Sequence, residues 1–142
     1  MYKRQERVGE FDGVAYVNDS KATNTAASAP ALAAFDNVHW IVGGLAKEPG
    51  LGECEAELSH VKAAYTIGKS GPDFAALLED RVPTTQCGTL DKAVTSAAKA
   101  AAVGDTVLLS PACASFDQFR DFEERGDAFR AAVAALAEGA AV

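Results

Sequence analysis

One rhythm constrains this chain more than any other feature. Short apolar runs that stop at glycine or at a polar cluster alternate with alanine-rich stretches of helical spacing. The runs are residues 38–42, ending at Gly43-Gly44, residues 61–67, ending at Gly68, the weaker 84–87, and 105–110. Between and after them lie 24–35, 73–79, 90–102 and 119–136, the last with Phe122, Phe129, Val133 and Leu136 near a 3.6-residue period. Strands alternating with helices in this way build a mostly parallel sheet covered on both faces. Residues 6–18 break the rhythm. There, 7–11 and 14–17 flank Asp12-Gly13, a tight-turn dipeptide, which predicts a hairpin and one antiparallel edge strand. Pro30 falls inside the first alanine-rich stretch, so that helix either begins near Ala29 or is kinked there.

At 142 residues the chain is one domain with a complete core, and nothing in it reads as a linker, a repeat or a low-complexity tract. Its 30 alanines, dense at 97–102 and 131–141, suit small-faced helices lying close on a sheet. The tail from 137 onward reads as a fraying end. No apolar run approaches the ~18–20 residues needed to span a bilayer, and no secretory leader is visible, so the expected compartment is the cytoplasm. A net charge of −7 argues against nucleic acid as the main partner. Cys54, Cys87 and Cys113 stand far apart, with no CxxC pair and no histidine at zinc spacing, and read as reduced thiols packed in the fold.

Ligands of an open α/β sheet bind beyond the carboxyl ends of its parallel strands, so the segments that follow the strands carry the functional signal. Residues 18–24 (NDSKATN) are polar in a way that helix capping by Ser20, Thr23 or Asn24 could explain, yet capping gives no reason for Lys21. The alternative is contact with an anion or nucleotide. Gly43-Gly44-Leu45-Ala46-Lys47 reads either as a plain turn with an exposed lysine or as a phosphate-side loop, but it is not a Walker A motif, and no GxGxxG follows any strand. Residues 110–119 (SPACASFDQF) place Ser110, the rigid Pro111 and Ser115, at an expected N-cap, in a tight loop whose backbone N–H groups could take a carboxylate or phosphate; an ordinary capped helix is the competing reading. His39 and His60 are expected at surface or edge positions away from this end, which disfavours a histidine-based nucleophile at Ser115.

Taken together and in order, Lys3-Arg4-Gln5-Glu6, NDSKATN, Gly43-Gly44 with Lys47, SPACASFDQF, and then Phe122, Arg125-Gly126 and Phe129 resemble the C-terminal domain of the Mur ligases, in particular the D-glutamate-adding members. The resemblance covers nearly the whole chain from residue 3. It implies a Rossmann-like three-layer domain, and an enzyme with two further domains that bind the UDP-sugar and ATP with magnesium. Met1-Tyr2 ahead of Arg4 then suggests a piece of a longer chain. The implied reaction activates the alanine carboxyl of UDP-N-acetylmuramoyl-L-alanine as an acyl phosphate; the amine of D-glutamate attacks it, releasing ADP and phosphate. By the same resemblance Thr23, Lys47, Ser115, Phe116 and Phe122 form the D-glutamate pocket, while Arg4, Asp19 and Lys21 face the nucleotide. Lys3 replaces the family's histidine at that position. The domain alone is expected to be monomeric and inactive, with no catalytic residue and no metal ligand of its own. A stand-alone module binding an acidic amino acid or a nucleotide is the alternative. A dinucleotide-dependent oxidoreductase is disfavoured by the missing glycine fingerprint.

Overall fold

The computed structural model describes residues 6–47, 50–115 and 117–140, with the side chains of 137–140 left aside; Lys3, Arg4 and Phe116 lie outside the described residues. Strands β1 (Glu6–Phe11) and β2 (Val14–Asn18) form the expected hairpin. They are followed by α1 (Thr25–Ala34), β3 (Val38–Gly43), a 3₁₀ helix (Gly52–His60), β4 (Val61–Ile67), α2 (Gly71–Leu78), β5 (Thr84–Gly88), α3 (Leu90–Ala100), β6 (Thr106–Leu109) and α4 (Phe122–Ala140). The sheet order is β1-β2-β6-β3-β4-β5, parallel throughout except for the β1–β2 pair. This is the expected three-layer α/β fold with one antiparallel edge strand.

Alternating side chains on each buried strand feed two cores. Val17, Trp40, Val42, Ala64 and Leu108 pack under α1, the 3₁₀ helix and α2; Tyr16, Ile41, Tyr65, Ile67, Val107 and Leu109 pack under α3 and α4. The central strand β3 is buried along its whole length, as a strand covered on both faces must be.

The helix starts differ from the expectations for local reasons. Helix α1 begins at Thr25, because Asn24 Oδ1 accepts from Ala27 N at 2.8 Å, and it runs through Pro30. Pro30 and Ala26, four residues earlier, are both exposed, so the Ala26 carbonyl that loses its helical donor faces solvent. Helix α4 begins at Phe122, not at 119, and Ser115 is not its cap. Gln118 N and Phe119 N instead close a turn on the Ser115 carbonyl at 3.1 and 2.8 Å, and the helix is capped by Asp121, whose Oδ1 accepts from Glu124 N at 2.8 Å. At its far end α4 extends through Ala140, well into the segment expected to fray.

His39 is a second correction. It sits 1% exposed in central β3, not at a surface or edge. Both ring nitrogens are satisfied, Nδ1 lying 2.8 Å from Tyr65 Oη and Nε2 2.8 Å from Asp105 Oδ2, which is what lets a polar ring be buried there. The same Asp105 oxygen accepts from Lys62 Nζ at 2.9 Å and Ala102 N at 3.0 Å. This cluster lies toward the amino ends of the parallel strands, opposite the ligand end. His60 is partly exposed, its Nδ1 2.7 Å from Asp36 Oδ1, in keeping with a surface position.

Candidate functional site

The chain leaves β2 toward α1 on one face of the sheet and leaves the adjacent β6 toward α4 on the other. Such a reversal opens a crevice beyond the carboxyl ends of the two strands. The segments 18–24 and 110–119 border it, joined at their bases: Asp19 N donates to Leu109 O at 2.7 Å, Ser110 Oγ to Asp19 Oδ2 at 2.9 Å, and Ala112 N to Ala22 O at 3.0 Å. The Ser110 carbonyl is held in turn by Trp40 Nε1 at 2.7 Å and Ser28 Oγ at 3.2 Å.

Two of the expected pocket residues meet directly. Lys47, exposed on the loop after β3, donates from Nζ to Thr23 Oγ1, on the loop after β2, at 3.3 Å. Lys21 and Phe122 both line a cleft of about 740 Å³ whose wall also takes in Glu6, Arg7, Ser20 and Arg130 but neither Thr23 nor Lys47. Asp19 is 1% exposed at the base of its loop. Ser115 is 2% exposed, and its Oγ has no hydrogen-bond partner among the described residues. Arg4 and Phe116 fall outside the described residues.

The loop of residues 110–119 is less open than its sequence suggests. The expected free backbone N–H groups are largely spent inside the protein: Ser110 N on Ile41 O, Ala112 N on Ala22 O, Ala114 N on Leu45 O, and Gln118 N and Phe119 N on Ser115 O. Its main structural role is to strap the neighbouring loops together. Leu45 and Ala114 exchange both backbone bonds at 2.9 Å, Asp117 Oδ2 accepts from Lys69 N at 2.8 Å, and Gln118 Nε2 donates to Gly88 O at 2.7 Å. The loops after β3, β4 and β5 thus all hang on this one segment.

Residues 3–113 match the family model for the Mur ligase, glutamate ligase domain. The chain belongs to the Mur ligase family. It is 59% identical over 135 residues to the UDP-N-acetylmuramoylalanine--D-glutamate ligase of Novosphingobium aromaticivorans, and 53% identical over 134 residues to the enzyme of that name from Zymomonas mobilis. These alignments cover 95% and 94% of this chain, which spans about 30% of the length of either relative. Among solved structures, a bifunctional folylpolyglutamate synthase/dihydrofolate synthase from Yersinia pestis matches over 92% of this chain and 30% of its own, with a TM-score of 0.56 and 22% identity. A UDP-N-acetylmuramoyl-L-alanyl-D-glutamate--2,6-diaminopimelate ligase matches over 77% and 26%, with a TM-score of 0.56 and 17% identity. At those identities the structures establish the fold of this Mur ligase domain and nothing beyond it.

The residue of this Mur ligase domain whose role its sequence least discloses is Arg125. It is 1% exposed, and its guanidinium ties the two crevice loops together: Nε donates to Ser20 Oγ at 2.9 Å, Nη2 to Ser20 O at 2.7 Å, and Nη1 to Cys113 O at 3.0 Å. Ser20 Oγ donates onward to the Phe122 carbonyl at 2.7 Å. Burial lowers the Arg125 pKa to about 10, which leaves it cationic at neutral pH. The Asp-Gln of SPACASFDQF and the Ser70 hydroxyl, which accepts from Ala46 N at 3.0 Å, are likewise loop tethers. The Asp-Gln pair is signalled in the sequence only by its place in the 110–119 cluster, and nothing in the sequence singles out Ser70. Among the described residues, no group of three His, Cys, Asp or Glu side chains could hold a metal ion. No helix among them is long and apolar enough to cross a membrane.

Proposed function

We propose that this domain binds D-glutamate for an ATP-dependent ligase that joins it to UDP-N-acetylmuramoyl-L-alanine in peptidoglycan synthesis. The observation that carries the reading is the pairing of Lys47 Nζ with Thr23 Oγ1 at 3.3 Å beside the crevice. A dicarboxylic amino acid needs a local cation in a protein of net charge −7, and a lysine held by a hydroxyl offers a carboxylate one charge-assisted donor and one neutral donor. In this reading Ser115, on the turn before α4, and Phe122, at its first residue and on the cleft wall that it shares with Lys21, also serve D-glutamate, and the family resemblance adds Phe116. Lys21, on the wall of the 740 Å³ cleft, and Asp19, at its loop base, serve the nucleotide in this reading, and the family resemblance adds Arg4 to that role.

The chemistry asked of these residues is positioning. The D-glutamate amine attacks the acyl carbon, a C–N bond forms, and phosphate leaves. Holding the amine against the acyl phosphate lowers the barrier through orientation. In this reading the UDP-sugar, ATP and magnesium are bound chiefly by two further domains, which close on this one. The reading draws support from relatives named for this reaction at 53% and 59% identity.

The test is Lys47→Ala in a three-domain ligase carrying this domain. Loss of a charged hydrogen bond of ~1.5–3 kcal/mol raises KM for D-glutamate by about ten- to a hundredfold and leaves KM for ATP unchanged. An unchanged KM for D-glutamate overturns the assignment. The isolated domain turns over no substrate, so ATP-dependent amide formation by this chain alone would overturn that part.

A further inference from the structure

The residue just before α2, Ser70, stands where a serine hydroxyl ordinarily caps a helix, yet its side chain makes no cap bond. Its oxygen is turned instead onto the loop after β3, accepting from Ala46 N at 3.0 Å, while its backbone N–H donates to Gly44 O at 2.8 Å. Two of the tethers on residues 44–46 therefore end on Ser70. The others are the paired backbone bonds between Leu45 and Ala114. Lys47 follows immediately, and its ammonium donates to Thr23 Oγ1.

Ser70 is itself anchored from two sides. Phe74 N donates to its carbonyl at 3.1 Å, making it the foot of α2, and the neighbouring Lys69 N is held by Asp117 Oδ2 at 2.8 Å. A rigid helix end and a strapped loop thus fix the point from which an exposed, rotamer-rich lysine extends. Fixing that point reduces the freedom the lysine must lose when it engages a ligand.

We infer that Ser70 is a positioning residue for Lys47, setting the ammonium of the acidic-amino-acid pocket through the Ala46 amide. This rests on the D-glutamate reading above. It concerns binding of the dicarboxylic substrate and leaves the nucleotide side untouched.

The experiment compares Ser70→Ala, Ser70→Thr and Lys47→Ala in a three-domain ligase carrying this domain, with steady-state kinetics for each substrate and a thermal melt for each variant. Because Ser70 gives α2 no side-chain cap, Ser70→Ala is expected to melt like the parent. It should raise KM for D-glutamate about tenfold with kcat within twofold and KM for ATP unchanged, and Ser70→Thr, which keeps the accepting hydroxyl, should restore the parent value. If Lys47→Ala raises KM for D-glutamate and Ser70→Ala does not, the inference fails and the pocket stands. A Ser70→Ala that weakens all substrates alike, or that Ser70→Thr does not rescue, reveals a structural role only and also overturns it. If Lys47→Ala has no effect, the pocket reading falls and takes the inference with it.

Discussion

Arg125 on α4 grips Ser20 twice, its Nε 2.9 Å from the hydroxyl oxygen and its Nη2 2.7 Å from the carbonyl, and so closes the loop after β2 onto the helix that follows β6. A third bond, from Nη1 to Cys113 O at 3.0 Å, holds the far loop. Replacing Arg125 with Met keeps the apolar stem but strands two buried carbonyls. A cost of about 3 kcal/mol is expected, read from urea unfolding midpoints. Arg125→Lys should recover less than half of it, because an ammonium cannot reproduce a forked, planar donor set. A loss below about 1 kcal/mol for Met would show that the clamp does little.

The fold was legible in the sequence wherever burial imposes a period. Residues 38–42 and 61–67 read as buried strands because both faces of β3 and most of β4 are covered. The hairpin was legible because Asp12-Gly13 sits between two strand-forming runs. What escaped was set by long-range partners. His39 looked peripheral because its two satisfiers, Tyr65 and Asp105, lie 26 and 66 residues away in the chain. The start of α4, by contrast, moved from 119 to 122 because Ser115 spends its carbonyl on a turn and Asp121 takes the cap, a start that the local signal Asp121-x-x-Glu124 could have located. The candidate site was legible as a set of polar strand ends, but that Asp117 and Gln118 tether loops was not, since their partners, Lys69 N and Gly88 O, lie 48 and 30 residues away in the chain.

Asp105 makes acid stability specific. Its burial favours the protonated form, but the Ala102 N–H, Lys62 and His39 bonds on its carboxylate outweigh that and bring its pKa to about 2, from an ordinary 3.8. A carboxyl whose pKa is lower in the folded state contributes fully above its unfolded value, and that contribution is lost as pH falls through the folded one. About 2 kcal/mol should therefore disappear between roughly pH 5 and pH 2. Asp105→Asn removes this portion of the slope, so urea unfolding at pH 7, 4 and 2.5 should show parent and variant converging as the acid is added. Parallel curves would mean that the cluster carries no linked proton.

The three thiols should separate by reactivity. Burial pushes Cys54 and Cys113 up to about 12, whereas Cys87 is half-buried and raised less, with Ser96 and Lys92 opposing the burial. The thiolate is the reacting form. A thiol reagent at pH 8 should label only Cys87 within minutes in the native protein and all three cysteines in denaturant. Rapid native labelling of Cys113 would show that the loop beside Arg125 opens readily.

Gly44 links this rigidity to the site. It has φ +135°, and a Cβ built on it would lie 2.4 Å from the Ala114 carbonyl oxygen, inside the Leu45–Ala114 bridge that helps to hold the Lys47 loop. Two costs therefore combine in Gly44→Ala: a backbone conformation that costs an L-residue about 1–3 kcal/mol, and a backbone clash that only separation of the two loops can relieve. Gly88 is the control. It has φ +80°, but a Cβ there meets nothing within 4 Å, so Gly88→Ala incurs the conformational cost alone. Urea unfolding should place Gly44→Ala below Gly88→Ala by at least about 1 kcal/mol. In a three-domain ligase only Gly44→Ala should raise KM for D-glutamate, because only that change moves the loop from which Lys47 extends. Equal effects of the two substitutions on stability and on KM would mean that the loops after β3 and β6 separate without cost, and that the bridge between them does not set the pocket.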